Sequence, residues 1–179
     1  MKIGTKSILF GVHQFAIHPW FVAWAWWRLY GFPWDPRLWI AFFLHDLGYW
    51  GKPNMNGPEG ETHPNWAADV MGELFGAEWS VLCRYHSRFL AKKYRHDYSR
   101  LCVADKLALA LTPAWLYLPL AKLSGELQEY MEGTAGERTP GQWYRDIQRY
   151  CKAWAAEHSD GRPDEWTGTV GDLDVPSRD

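Results

Sequence analysis

Seven histidines lie in this 179-residue chain, and their neighbours decide which of them could do chemistry. His45 and Asp46 are adjacent at the end of an almost wholly apolar run, where a charged pair is costly unless a metal or a partner compensates it. His18, His63, His86 and Asp105 each sit near a helix start or on an apolar helix, and enough chain separates them to bring each from a different helix. Imidazoles and carboxylates projecting inward from several helices are how bundle proteins hold divalent metals. One such histidine alone is ordinarily a hydrogen-bonded core residue, but the set together points to metal ligation. His13 competes with His18 for the first position. His96-Asp97 repeats the dipeptide in a basic stretch and reads as solvated surface.

The elements that must position these residues can be traced from apolar spacing. Leu9 to Tyr30 reads as helical, restarted at His18-Pro19, where proline suits a first turn. Arg37 to Gly48 is a second helix and, from its apolar content, the central buried one. Tyr49 to Thr62 holds two Gly/Pro/Asn clusters and forms a long loop, which inside a compact domain usually serves a function. Helices follow over Pro64 to Phe75, Glu78 to about Phe89, Ser99 to Ala110 with Ser99 as cap, and Pro113 to Met131. The last helix opens at Thr139-Pro140 and ends near His158. No two-residue alternation persists, so the predicted fold class is all-α. The reading is a compact single-domain helical bundle over residues 1–158 with an irregular tail, rich in Gly, Pro and Asp, over 159–179.

Within that frame the motifs resemble the HD-domain superfamily. His18 precedes Val22-Ala23 by four and five positions, as in the opening helix of that family. Leu44-His45-Asp46-Leu47-Gly48 resembles its signature. His63-Pro64 with Ala67-Ala68, Tyr85-His86-Ser87 and Ala104-Asp105-Lys106-Leu107-Ala108 resemble its later segments, in the right order over roughly residues 9 to 110. The Val-Ala register favours His18 over His13. The resemblance implies a helical bundle of the HD type, in which His18, His45, Asp46 and Asp105 hold one metal. It gives the second metal to His63 and His86, with Asp46 bridging. Such a donor set suits two divalent transition-metal ions (Mn, Fe, Ni, Co or Zn) better than calcium.

The activity implied is that of a metal-dependent phosphohydrolase or phosphodiesterase, with a metal-bridging hydroxide attacking a nucleotide or other small phosphate ester. Many hydrolytic members continue the signature with Lys, where this chain has Tyr49. Lys52 could supply that charge from the loop, or Arg84, Arg88 or Lys92 could. Asp46, Lys52 and Arg88 are therefore the catalytic candidates, while Glu61 either serves the leaving group or caps the loop. Trp20, Tyr49, Trp50, Trp66 and Tyr85 lie close to ligands in sequence, and a base stacks well on such rings, which favours a nucleotide. Two other readings stand. A smaller branch of the superfamily holds a mixed-valence di-iron pair that activates O₂ on the same six ligands, and Tyr49 in place of Lys keeps that open. A metal-bound regulatory module is the third.

Composition narrows the partners. A net charge of −2 and a pI near 6.4 argue against a stable nucleic-acid partner. Cys83, Cys102 and Cys151 are scattered, as in reduced cytoplasmic proteins, and no leader peptide is evident. Ile8 to Phe32 is apolar but carries His13, His18 and Arg28, so it reads as buried helix and not as a membrane span. Thirteen tryptophans cannot all share one core. Some must line a pocket, a subunit interface or a membrane surface, which leaves room for a homo-oligomer.

Overall fold

The computed structural model describes residues 1–132 and 138–160, and among them every regular element is a helix. The helices are α1 (Ile3–Phe10), α2 (His18–Tyr30), α3 (Pro36–Leu44), α4 (Pro64–Phe75), α5 (Ala77–Arg84), α6 (Arg88–Lys93), α7 (Arg100–Leu111), α8 (Ala114–Ser124), α9 (Glu126–Met131) and α10 (Pro140–Glu157). Short 3-10 turns at Leu47–Tyr49 and Gly60–Thr62 bracket the long loop. From residue 161 the expected tail lies outside the described residues.

Local chemistry explains most of the boundaries. Asp35, Ser87, Ser99 and Thr139 each accept a backbone N–H of the helix that follows, which satisfies donors that the first turn leaves open. Thr139 and Gln142 complete a reciprocal capping box. Gly125, at φ +91°, adopts the left-handed conformation that breaks the expected Pro113–Met131 helix into α8 and α9. The helical start expected at Leu9 moves to Ile3, and the expected helix over Glu78 to Phe89 stops at Arg84, so that Tyr85 and His86 stand in the turn before α6.

The core is built on small residues. Ala23 and Ala25 of α2, Ala67 and Ala68 of α4, and Ala104 and Ala108 of α7 are buried against Val22, Trp26, Phe42, Met71 and Leu101. With so little side-chain bulk between them, the helices approach closely enough for residues of one to touch ligands of another. α2 packs on α7, α7 on α10 and α4 on α5. Helix α3 is not the central one: it buries only Ala41 and Phe42 and leaves Ile40 exposed. The more fully buried α7 takes that place, with six buried residues, because its short side chains face neighbours on several sides. Helix α2 is likewise only half buried, and its outer stripe meets solvent. Among the described residues no single helix is long and apolar enough to cross a membrane. α7 and α8 together reach that length, but they meet at 104°.

Candidate metal centre

Three of the candidate histidines occupy element ends, and each is held the same way. His45 follows α3, His63 follows the Gly60–Thr62 turn and His86 follows α5. At such an end the carbonyls have no partner within the helix. The Nδ1–H of His45 donates to the Phe42 carbonyl at 2.8 Å, that of His63 to Gly60 at 2.8 Å, and that of His86 to Cys83. A neutral imidazole with its proton on Nδ1 carries a lone pair on Nε2, and here every Nε2 turns inward. Gly48 completes the arrangement. A Cβ there would stand 1.9 Å from the His63 carbonyl oxygen, so the turn after His45-Asp46 can lie against His63 only because residue 48 has no side chain.

The converging atoms fall into two groups that share Asp46. In the first, His18 Nε2 lies 3.0 Å from Asp105 Oδ1 and 3.3 Å from Asp46 Oδ2, and His45 Nε2 lies 3.1 Å from Asp46 Oδ2. In the second, His63 Nε2 and His86 Nε2 each lie 3.6 Å from Asp46 Oδ1 and 3.0 Å from one another. Asp46 thus gives one carboxylate oxygen to each group. All of these residues are buried except Asp105, which is the most exposed of the six.

These separations fit cations. Ligand atoms about 2.0–2.2 Å from one ion, at octahedral or tetrahedral angles, stand roughly 2.8–3.6 Å apart, and His45 Nε2 to Asp105 Oδ1, at 3.9 Å, is the longer exception. His45 Nε2 and Asp46 Oδ2 are buried and lack a well-formed hydrogen bond although only 3.1 Å separates them. Without a metal, protons must stand in. Burial disfavours a charged His45, but Asp46 and Asp105 outweigh it and carry its pKa up to about 10. His18 is raised in the same way against its burial. For Asp46 and Asp105 burial pulls upward, yet the adjacent histidines hold both carboxyls well below their ordinary value. Burial, with the neighbouring His86, pushes His63 well below 6.5 and keeps its ring neutral.

His13 stands outside the ligand groups. Its Nδ1 pairs with Glu126 at 3.0 Å, and its ring lies edge-on to His18. Lys52 donates to Thr62 Oγ1 at 2.7 Å and so ties the long loop to the turn before His63. Arg88 donates to the Tyr150 hydroxyl and stacks on Trp154, both on α10. Arg84 pairs with Asp69 of α4. Glu61 accepts weakly from Ser87 at 3.5 Å, and burial raises its pKa. Two of the rings offered for base stacking have histidine partners: Tyr49 stacks on His63 at 3.8 Å and Tyr85 on His96 at 3.8 Å. Trp50 and Trp66 remain exposed.

Lys106 is the site residue that sequence reasoning passed over. Its Nζ stands 3.7 Å from Asp105 Oδ2, and its side chain keeps 31% exposure. The signal was its place directly after the last ligand on α7. Comparisons with protein-family models, with curated proteins and with solved structures returned no match.

Proposed function

We propose that the chain is a metal-dependent phosphohydrolase of the HD type, acting on a small phosphate ester, with nucleotides as the first class to try. The observation that carries this reading is the Asp46 carboxylate, which turns one oxygen toward His18 and His45 and the other toward His63 and His86. A carboxylate shared in this way is the donor arrangement of a two-ion site. When bound, a pair of divalent ions supplies Lewis acidity that activates water and offsets charge on a phosphoryl group.

The chain's own residues do the rest. The three Nδ1 bonds to backbone carbonyls hold His45, His63 and His86 in one tautomer and one orientation, so little reorganisation accompanies loading. Burial of five of the six ligands excludes bulk water, and the sixth, Asp105, lies beside Lys106. With Tyr49 where many hydrolytic members carry Lys, and with Lys52 and Arg88 engaged by Thr62 and by α10, Lys106 is the ammonium best disposed to neutralise a phosphate oxygen.

The test is metal analysis of protein purified without chelator, followed by phosphate release from a nucleotide panel with added Mn²⁺. Two ions per chain and turnover that disappears in Asp46→Ala are expected. Full metal content and activity in Asp46→Ala would refute the site. Coupled-iron signals in EPR, with O₂ consumption and no phosphate release, would transfer the chain to the oxidative branch. Bound metal with no turnover on the whole panel would favour a regulatory module.

A further inference from the structure

The aromatic surface on α2 and α3 is independent of the metal centre. An unbroken series of ring contacts runs from Phe15 to Phe43 (5.3 Å), Trp20 (5.7 Å), Trp39 (5.7 Å), Phe32 (6.4 Å) and Trp34 (4.5 Å). Trp20, Trp24 and Trp27 repeat at helical spacing along the outer stripe of α2. Trp20 and Trp27 are each 57% exposed. Trp34, in the connection to α3, is 84% exposed and stands out from the surface. Soluble surfaces rarely keep so many large rings in contact with water unless something covers them.

Charge selects what covers them. Residues 15–43, which hold the patch, carry Arg28 and Arg37 against Asp35 alone, a net charge of +1, whereas the whole chain, with 19 Lys and Arg and 21 Asp and Glu, stands at −2. The segment that builds the patch is therefore cationic within an acidic protein. Its one acid, Asp35, is already paired with Arg37 at 2.6 Å. Arg28 lies over the Trp24 ring at 5.9 Å. Tryptophan, whose ring is apolar and whose N–H seeks a polar partner, is the residue that settles at the level of lipid headgroups, and arginine beside it suits acidic ones.

We infer that this face docks the protein peripherally on an anionic bilayer surface, with Trp34 as the leading anchor and Trp20 and Trp27 in the headgroup layer. Since no described helix is long and apolar enough to cross, the association is interfacial and reversible.

Co-sedimentation of the full chain with vesicles tests this. Phosphatidylcholine vesicles containing about 30 mol% phosphatidylglycerol should carry the protein down, pure phosphatidylcholine should carry less, and added salt should release it. Trp20→Ser combined with Trp27→Ser and Trp34→Ser should lower partitioning about tenfold or more, with circular dichroism reporting the retained fold. Trp115→Ser, which is 76% exposed on α8 and outside the patch, should partition like wild type. Should the triple variant unfold, Trp34→Ser alone must still lower binding severalfold. Wild-type protein that stays in the supernatant, or a folded triple variant that binds equally, overturns the inference. So does a wild-type dimer in sedimentation equilibrium that the triple variant dissolves while vesicle binding is absent.

Discussion

His63 Nε2 stands 3.0 Å from His86 Nε2, and the Nδ1–H of each ring is already committed to a carbonyl three residues back. The two Nε2 atoms therefore face one another across a buried gap beside Asp46 Oδ1. Burial, with His86 beside it, keeps the His63 ring neutral, so its Nε2 offers a lone pair to a cation or a proton between the rings. With Asp46, the pair could hold one metal ion.

Metal stoichiometry should divide along this line. His63→Ala and His86→Ala are expected to lower bound Mn²⁺ or Zn²⁺ from two ions per chain to one, because His18, His45, Asp46 and Asp105 keep their own group intact. Asp46→Ala should cost both. Inductively coupled plasma mass spectrometry after dialysis reads the difference, and equal loss in all three variants would show that the two groups do not bind separately.

Metal loading should also release protons, in a pH-dependent way. Burial works against a charged His45, but Asp46 and Asp105 push its pKa up to about 10 from the ordinary 6.5. Its contribution to stability is therefore fully present below pH 6.5 and is lost as pH rises toward 10. Asp46 and Asp105 run oppositely: held well below 3.8, they add stability above that value and lose it as pH falls through their folded values. At pH 7 a metal must displace the His45 proton, so roughly one proton or more per chain should leave on loading, and metal affinity should rise with pH. Calorimetry in two buffers of different ionisation enthalpy measures this. A buffer-independent enthalpy would refute it.

How far the sequence reached follows from how local each cause was. That His18, His45, Asp46, His63, His86 and Asp105 come together was legible because an apolar helix that ends in His-Asp makes a local energetic statement, to which the resemblance added the remaining positions. Helix α4 was read to the residue, since Pro64 and Gly76 mark both ends. The break of α8 from α9 was not read, because Gly125 looks like any helical glycine until its φ is known. The place of α3 was misread. Its apolar residues face solvent on one side, and no local pattern distinguishes a core-facing phenylalanine from one in a surface aromatic patch. Lys106 was passed over although its place directly after Asp105 is local, because a lysine on a helix ordinarily reads as a solvated charge.

The three cations near the site should separate by what each touches. Lys106→Met is expected to lower kcat/KM for a phosphate ester by about 10- to 100-fold, as expected for losing one charge-assisted contact, with metal content unchanged. Lys52→Met removes a bond to Thr62, and its effect should appear chiefly in stability, at about 1 kcal/mol. Arg88→Met should do the same through lost packing on Tyr150 and Trp154. Kinetics with thermal melts on the three variants reads the split. A larger kinetic loss in Lys52→Met than in Lys106→Met would return the phosphate role to the loop.

Glu126 should prove the most sensitive polar residue away from the metal centre. It is fully buried, yet its carboxylate accepts from Val12 N, Ser124 Oγ, Tyr130 Oη and His13 Nδ1, which joins the α1–α2 connection to the α8–α9 junction. Burial works against its charge, but the bonds from His13, Ser124 and Val12 prevail and hold its carboxyl below 4.5. Its stabilisation is present above that pH and fades as pH falls through the folded value. Glu126→Ala strands these donors and should cost about 3 kcal/mol, or roughly 6–12 °C in Tm for a chain of this size. Glu126→Gln keeps the shape and an acceptor oxygen but no charge, so about half that loss is expected. Both variants should still bind two metal ions at a temperature where they are folded, because His13 and not a ligand is the residue that Glu126 holds. Loss of metal from folded Glu126→Gln would mean that His13 belongs to the ligand set after all.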